Sequence, residues 1–209
     1  MVKNKMIKII HRVNTIKKLK KIPIEYGIEV DLRGDKDRIL MSHNPLEKSK
    51  EYCDIKEFLK HYKHKLIVFN IKETGYEKEI IEIAKKFNIQ NYFLLDVEFP
   101  FFYYATRNLK FRKLASRFSE AEPIEFTLSQ IEKEKPLVNW VWVDTNTKLP
   151  LNKRNYSLIK EKFKICLVCP ERWGRPEDIE KYKNYLSKNE IEIQAVMTSL
   201  KYVNRWKND

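Results

Sequence analysis

The sequence predicts an α/β protein of the compact (β/α)8, or TIM, barrel class. Three observations carry that reading. Short apolar, β-rich runs alternate with runs of helical period in about eight strand-then-helix units along the 209 residues. No Pro/Gly/Ser-rich linker divides them, and only 4 glycines occur. The apolar runs end in ionisable residues, where a barrel of this kind carries its site. A doubly wound open sheet uses the same alternation, but no Gly-rich phosphate turn follows the first strand. The whole chain, 1–209, reads as one domain.

Met6–His11 is the first predicted strand, and Asn14-Thr15 can cap the short helix in NTIKKLKKI. Gly27–Arg33 is the second, and Gly34-Asp35 starts a turn into the short strand Ile39–His43, a hairpin extension. Asp54 can cap IKEFLKHYK, Lys65–Ile71 is strand, and Thr74 opens the amphipathic helix GYEKEIIEIAKKFN. Tyr92–Glu98 follows as strand, FPFFYYATRN as helix and Phe111–Arg117 as strand. A helix around Leu128–Glu134 precedes strand Leu137–Asp144, and one around Arg154–Lys162 precedes strand Lys164–Cys169. Pro176 suits the first turn of EDIEKYKNYLSKN, Glu192–Thr198 is the last strand, and SLKYVNRWKND is a basic helix anchored by Trp206. The aromatic run Phe99 to Tyr104 is expected to pack a helix onto the barrel.

Composition narrows the function classes. No apolar run approaches the ~20 residues of a bilayer span, and the N-terminus lacks a signal-peptide pattern, so a cytoplasmic protein is expected. Cys53, Cys166 and Cys169 form no disulfide framework. In FKICLVCP the last two would point to opposite faces of a strand, so they are expected to be structural rather than a metal or redox pair. The formal charge of +13 favours an anionic partner. The lysines are spread along the chain and no nucleic-acid motif occurs, so no stable nucleic-acid partner is expected. His61 and His64 are three apart near a helix end, without a third ligand.

The strand ends carry His11 and Arg12, Glu29, Asp31 and Arg33, His43, Asn70 and Lys72, Glu98, Arg117 with Glu120, Asp144, Glu171 with Arg172, and Thr198. Glu29 and Asp31, two apart on a strand, project to one face as two ligands of a hard cation should. Inward-facing acids in GIEVDLR carry a desolvation cost unless something cationic meets them. His11 and His43, from neighbouring strand ends, can face one scissile bond as base and acid.

His11-Arg12 with Asn14-Thr15, then Gly27-Ile28-Glu29-Val30-Asp31, then Ser42-His43-Asn44, resembles the N-terminal signature of the glycerophosphodiester phosphodiesterase family, within the phosphatidylinositol-phospholipase-C-like barrels. The resemblance covers Ile9 to Lys72. It implies a barrel, a divalent cation (Mg2+ or Ca2+) on Glu29 and Asp31, His11 and His43 as the acid/base pair, and phosphate on Arg12 and Lys72. Two departures stand out: Val13 follows His11-Arg12 where the family has a glycine and a longer loop, and Asn70 occupies the place of a third acidic ligand. An amide ligates with less charge, so the cation is held more weakly or another acid such as Glu98 is recruited. The segment that usually covers glycerol is short.

The expected activity is therefore metal-assisted cleavage of a small or head-group phosphodiester. Arg117, Glu120, Glu171 and Arg172 are further candidates for substrate contact. The main alternative is a non-catalytic anion-binding barrel that has lost part of its metal site. A nucleic-acid binder is a third.

Overall fold

The computed structural model describes residues 6–206; residues 1–5 and 207–209, including the last three of the terminal helix expected from the sequence, lie outside the described residues. Along the chain run β1 (Ile7–Ile10), α1 (Ile16–Leu19), β2 (Gly27–Asp35), β3 (Arg38–Met41), α2 (Ile55–Leu59), β4 (Leu66–Ile71), α3 (Glu77–Lys86), β5 (Tyr92–Leu95), α4 (Phe99–Arg107) and β6 (Ala115–Phe118). Then come α5 (Ile124–Leu128), the arms β7 (Ile131–Glu132) and β8 (Lys135–Pro136), β9 (Trp140–Val143), α6 (Lys153–Ile159), β10 (Lys164–Val168), a 3-10 turn (Pro170–Trp173), α7 (Asp178–Lys188), β11 (Ala195–Thr198) and a 3-10 turn (Val203–Trp206).

The parallel order β5-β4-β2-β1-β11-β10-β9-β6 makes eight staves, with β3 hung antiparallel on β2. Between β5 and β6 the wall is held by one bridge, Leu94 to Leu114, and the Leu94 N–H to Lys113 carbonyl bond of 2.9 Å. The expected barrel is thus the observed one, with a weak seam at β5/β6.

Alternation along the staves sorts the core into two shells. Ile9, Leu66, Val68, Phe93, Ala115, Trp140, Trp142, Cys166, Val168, Ala195 and Met197 fill the barrel. Their neighbours, such as Ile10, Ile28, Val30, Ile67, Val141 and Ile165, pack outward under the helices. Trp140 stacks on Phe93 with centroids 4.9 Å apart, plugging the barrel below its mouth. Cys166 faces in and Cys169 lies in the outer shell, both fully buried, so the C-x-x-C is structural as expected.

Several local expectations are corrected. β5 is shorter than its apolar run because a left-handed residue, Asp96 at φ 57°, stops it before Glu98. β2 runs on through Gly34 and Asp35, and the turn falls on Lys36-Asp37, with Lys36 at φ 57°. Gly34 has another use: a Cβ there would lie 1.8 Å from the Tyr76 ring that packs over it. Thr74 does not cap α3, which begins at Glu77 with Tyr76 at its N-cap position. The helix expected around Leu128–Glu134 lies earlier: α5 ends at Leu128, and Lys133 and Glu134, both left-handed, form the tight turn between β7 and β8. Pro176 precedes α7 by two residues. The C-terminal segment is 3-10 rather than α, but Trp206 does anchor it, buried with its indole N–H on Cys169 Sγ at 3.3 Å. Of the α4 aromatics only Phe102 is fully packed; Phe99, Tyr103 and Tyr104 remain 60%, 50% and 39% exposed. His64 is buried with Nε2 on the Ile22 carbonyl at 3.0 Å, a structural role.

Candidate active site

At the C-terminal mouth the inward register of β1, β2, β4, β6 and β9 gives way to ionisable or polar residues. On β2 the inward positions after Gly27 are Glu29, Asp31 and Arg33; on β4, after Leu66 and Val68, they are Asn70 and Lys72; on β6 Ala115 is followed by Arg117; on β9 Trp142 is followed by Asp144. His11 directly follows β1. Adjacent staves align Asp31 with Asn70.

The two acids are buried, Glu29 4% and Asp31 0% exposed, and each is held by fixed donors. Glu29 Oε2 accepts the Arg12 backbone N–H at 2.5 Å, and its Oε1 accepts Asn70 Nδ2 at 2.7 Å. That amide bond delivers Arg12 in a left-handed conformation, φ 54°, a strained backbone that aims its side chain across the mouth. Asp31 Oδ2 accepts Asn14 Nδ2 at 2.8 Å, while Asn14 Oδ1 accepts the Asp31 N–H at 2.9 Å. Burial, then the neighbouring Asp31 charge, pushes the Glu29 carboxyl up to about 7.

Two buried oxygens in this group have no hydrogen-bond partner: Asp31 Oδ1 and Asn70 Oδ1. They belong to register neighbours beside Glu29, and an all-oxygen set of this kind suits a hard cation. Lys72 Nζ stands 3.9 Å from Asp31 Oδ1 and 2.9 Å from Asp96 Oδ2. Among the described residues no group of three or more His, Cys, Asp or Glu gathers as a metal cluster.

The histidines differ. His43 Nε2 lies 2.6 Å from Arg12 Nη2; a guanidinium only donates, so Nε2 accepts, and the ring's proton is on Nδ1, which donates to Asn44 Oδ1 at 3.1 Å. Arg33 braces this corner, donating to the His43 carbonyl and the Lys72 carbonyl, both at 3.1 Å. His11 is enclosed, with neither ring nitrogen hydrogen-bonded. Burial, then Lys18, Arg172 and Arg12, drives its pKa from 6.5 down to about 4. Glu171 Oε1 is 3.9 Å from His11 Nε2 and is fixed by the Ser199 N–H at 2.6 Å and Thr198 Oγ1 at 3.1 Å.

The structure thus brings together His11, Arg12, Glu29, Asp31, His43, Asn70, Lys72 and Glu171. Arg172 is near enough to act on His11 but stacks on Trp173, 5.5 Å from its ring centroid. Arg117 is consumed internally: Nη1 on Asp96 at 2.5 Å, Nε on Glu122 at 2.5 Å and Nη2 on Asp144 at 2.6 Å. Glu120 ties a loop to Thr147, through the backbone N–H at 2.5 Å and the hydroxyl at 2.9 Å. Glu98 is exposed, and Asp96 supplies the acid on that side instead. Sequence reasoning gave no role to Lys18 or Asp96, placed Arg33 only among the strand-end residues, and gave Asn14 only a capping place within the family motif. Lys18 Nζ binds the carbonyls of His11 and Arg12, both at 2.9 Å. The helical spacing that puts Lys18 beneath that loop was visible; the left-handed turn at Asp96 was not.

A pocket of about 310 Å3 adjoins Arg12 and His43 and runs under the 44–53 segment, with Asn14, Ser42 and Tyr52 on its walls. No helix among the described residues is long and apolar enough to cross a membrane.

No protein-family model matches the chain, and no curated protein matches it in sequence. Solved structures do. A protein of Agrobacterium tumefaciens assigned as a glycerophosphoryl diester phosphodiesterase superposes with a TM-score of 0.66 at 9% identity, over 95% of this chain and 96% of that one. A glycerophosphodiester phosphodiesterase of the same organism gives 0.62 at 8%, over 92% and 96%. A glycerophosphoryl diester phosphodiesterase of Parabacteroides distasonis gives 0.56 at 9%, over 94% and 84%. Along nearly its whole length, the chain has the barrel fold of solved glycerophosphodiester phosphodiesterases.

Proposed function

We propose that the chain is a divergent glycerophosphodiester phosphodiesterase that hydrolyses a small or head-group phosphodiester with a divalent cation, Mg2+ or Ca2+. The observation that carries this is the meeting, at the mouth of such a barrel, of His11 and His43 with the buried pair Glu29 and Asp31. The unpartnered Asp31 Oδ1 and Asn70 Oδ1 support the cation reading. When bound there by Glu29, Asp31 and Asn70, the cation supplies electrostatic stabilisation of charge developing on the phosphoryl oxygens.

The chain's own groups do the rest. Arg12 and Lys72 bind the phosphoryl oxygens, and Arg12 leaves His43 Nε2 as it turns to them. His11, kept neutral by burial and three nearby cations, accepts the proton of the attacking water; Glu171 then faces the imidazolium. The vacated Nε2 of His43 takes a proton from solvent before the attack and gives it to the departing alkoxide as its bond to phosphorus breaks.

The test is turnover of bis(4-nitrophenyl) phosphate and a panel of glycerophosphodiesters with Mg2+, Mn2+ or Ca2+, and with chelator. His11→Ala and His43→Ala are each expected to lower kcat about 10²–10⁴-fold. A second reading has its own support: both Glu29 oxygens and one Asp31 oxygen already accept hydrogen bonds from Arg12, Asn70 and Asn14, which favours a metal-free anion pocket. Binding of inorganic phosphate with equal, negligible turnover by wild type and both variants would favour it.

A further inference from the structure

The loop from His11 to Val13, between β1 and α1, contains no glycine, yet Arg12 sits at φ 54°, where a side chain is disfavoured. Its N–H groups are taken by neighbouring staves. His11 donates to the Thr198 carbonyl at 3.2 Å, Arg12 to Glu29 Oε2 at 2.5 Å and Val13 to the Glu29 carbonyl at 2.8 Å. The carbonyls of His11 and Arg12 both accept from one group, Lys18 Nζ, each at 2.9 Å.

Local structure puts Lys18 there. Thr15 Oγ1 accepts the Lys18 N–H at 3.1 Å, which sets Lys18 in the first turn of α1, and a helical side chain leans back toward the N-terminus, here toward the His11–Arg12 loop. Lysine ordinarily keeps its ammonium in water. This one is half-buried and spends its donors on backbone. Its charge also falls on His11, together with those of Arg172 and Arg12. The outcome is an Arg12 whose N–H grips Glu29 while its Nη2 stands 2.6 Å from His43 Nε2.

Resting on the phosphodiesterase reading, we infer that Lys18 is a positioning residue of this site: by tying the His11 and Arg12 carbonyls to one ammonium, it fixes the left-handed backbone from which Arg12 reaches the phosphate. Lys18 acts through that backbone and not on the phosphate. With the backbone held, only the Arg12 side chain swings between His43 and the phosphate, so less freedom is lost on binding.

The experiment compares wild type, Lys18→Met and Lys18→Arg in the full chain, by amide hydrogen exchange and by calorimetric titration with inorganic phosphate. Met keeps the stem without charge or donors; Arg keeps both. In Lys18→Met the Arg12 and Val13 amides should exchange about tenfold faster while those of β10 stay as in wild type, and phosphate should bind about tenfold more weakly. Lys18→Arg should recover most of both. An effect of charge alone would weaken phosphate and leave the Arg12 and Val13 amides as slow as in wild type, which overturns the inference. So does phosphate bound equally by wild type and Lys18→Met, faster exchange that extends through β10, or a folded Lys18→Arg chain no better than Lys18→Met. The expected pattern in a wild type that turns over no diester keeps Lys18's role and removes the phosphodiesterase reading; diester turnover without that pattern overturns this inference alone.

Discussion

Replacing Asn70 by Asp puts a third carboxylate beside Glu29 and Asp31. In the present chain Asn70 Nδ2 donates to Glu29 Oε1 at 2.7 Å, both residues being nearly buried. The substitution removes that donor and sets an acceptor against an acceptor. A buried hydrogen bond to a charged group is worth about 1.5–3 kcal/mol. For a chain of this size each kcal/mol shifts Tm by roughly 2–4 °C, so the cation-free variant should melt about 3–12 °C below wild type. The measurement belongs near pH 8, above the value of about 7 to which burial and Asp31 push Glu29 in the wild-type chain. Adding Mg2+ or Ca2+ should reverse the order of effect: a third charged ligand tightens the site, and saturation at about 100 times Kd restores roughly 2.7 kcal/mol. Melting curves of both proteins with chelator and with each cation decide the matter. A variant that melts with wild type under chelator, and gains no more than wild type from either cation, would refute the shared site built from Glu29, Asp31 and Asn70.

Three further outcomes follow from the same geometry. His11 binds its proton near 4 when folded against an ordinary 6.5, so between those pH values the unfolded chain takes up a proton that the folded one refuses. Stability is full above pH 6.5 and declines toward pH 4 by at most about 3 kcal/mol, and His11→Gln should flatten that slope in urea unfolding. Arg117→Met leaves buried Asp144 without its ion pair and should cost about 3 kcal/mol, low in the range because the guanidinium is 33% exposed; adding Asp144→Asn should recover part of it. A thiol reagent under native conditions should modify Cys53 alone, because burial raises the Cys166 and Cys169 thiols and closes access; three fast-reacting thiols would contradict the core packing.

Much of this protein was legible without its structure, for a physical reason: staves and their helices are local, and periodicity records which side of each faces apolar surroundings. The barrel, the inward pairing of Glu29 with Asp31 and the strand-end positions of His11 and His43 all follow from period and spacing. What local sequence does not encode is where a chain abandons a regular conformation, or which distant partners close on a side chain. The left-handed backbones of Arg12 and Asp96 aim the first at His43 and make the second, not Glu98, the acid beside Lys72. Asn14, which could equally have capped a helix, instead grips Asp31 seventeen positions away. Arg117 was legible as a strand-end cation, but three carboxylates from separate segments turned it into an internal brace and left the seam side of the mouth acidic. Sequence determined which groups reach the mouth; the tertiary fold decided which remain available there, because that depends on long-range pairing and on the desolvation that burial imposes.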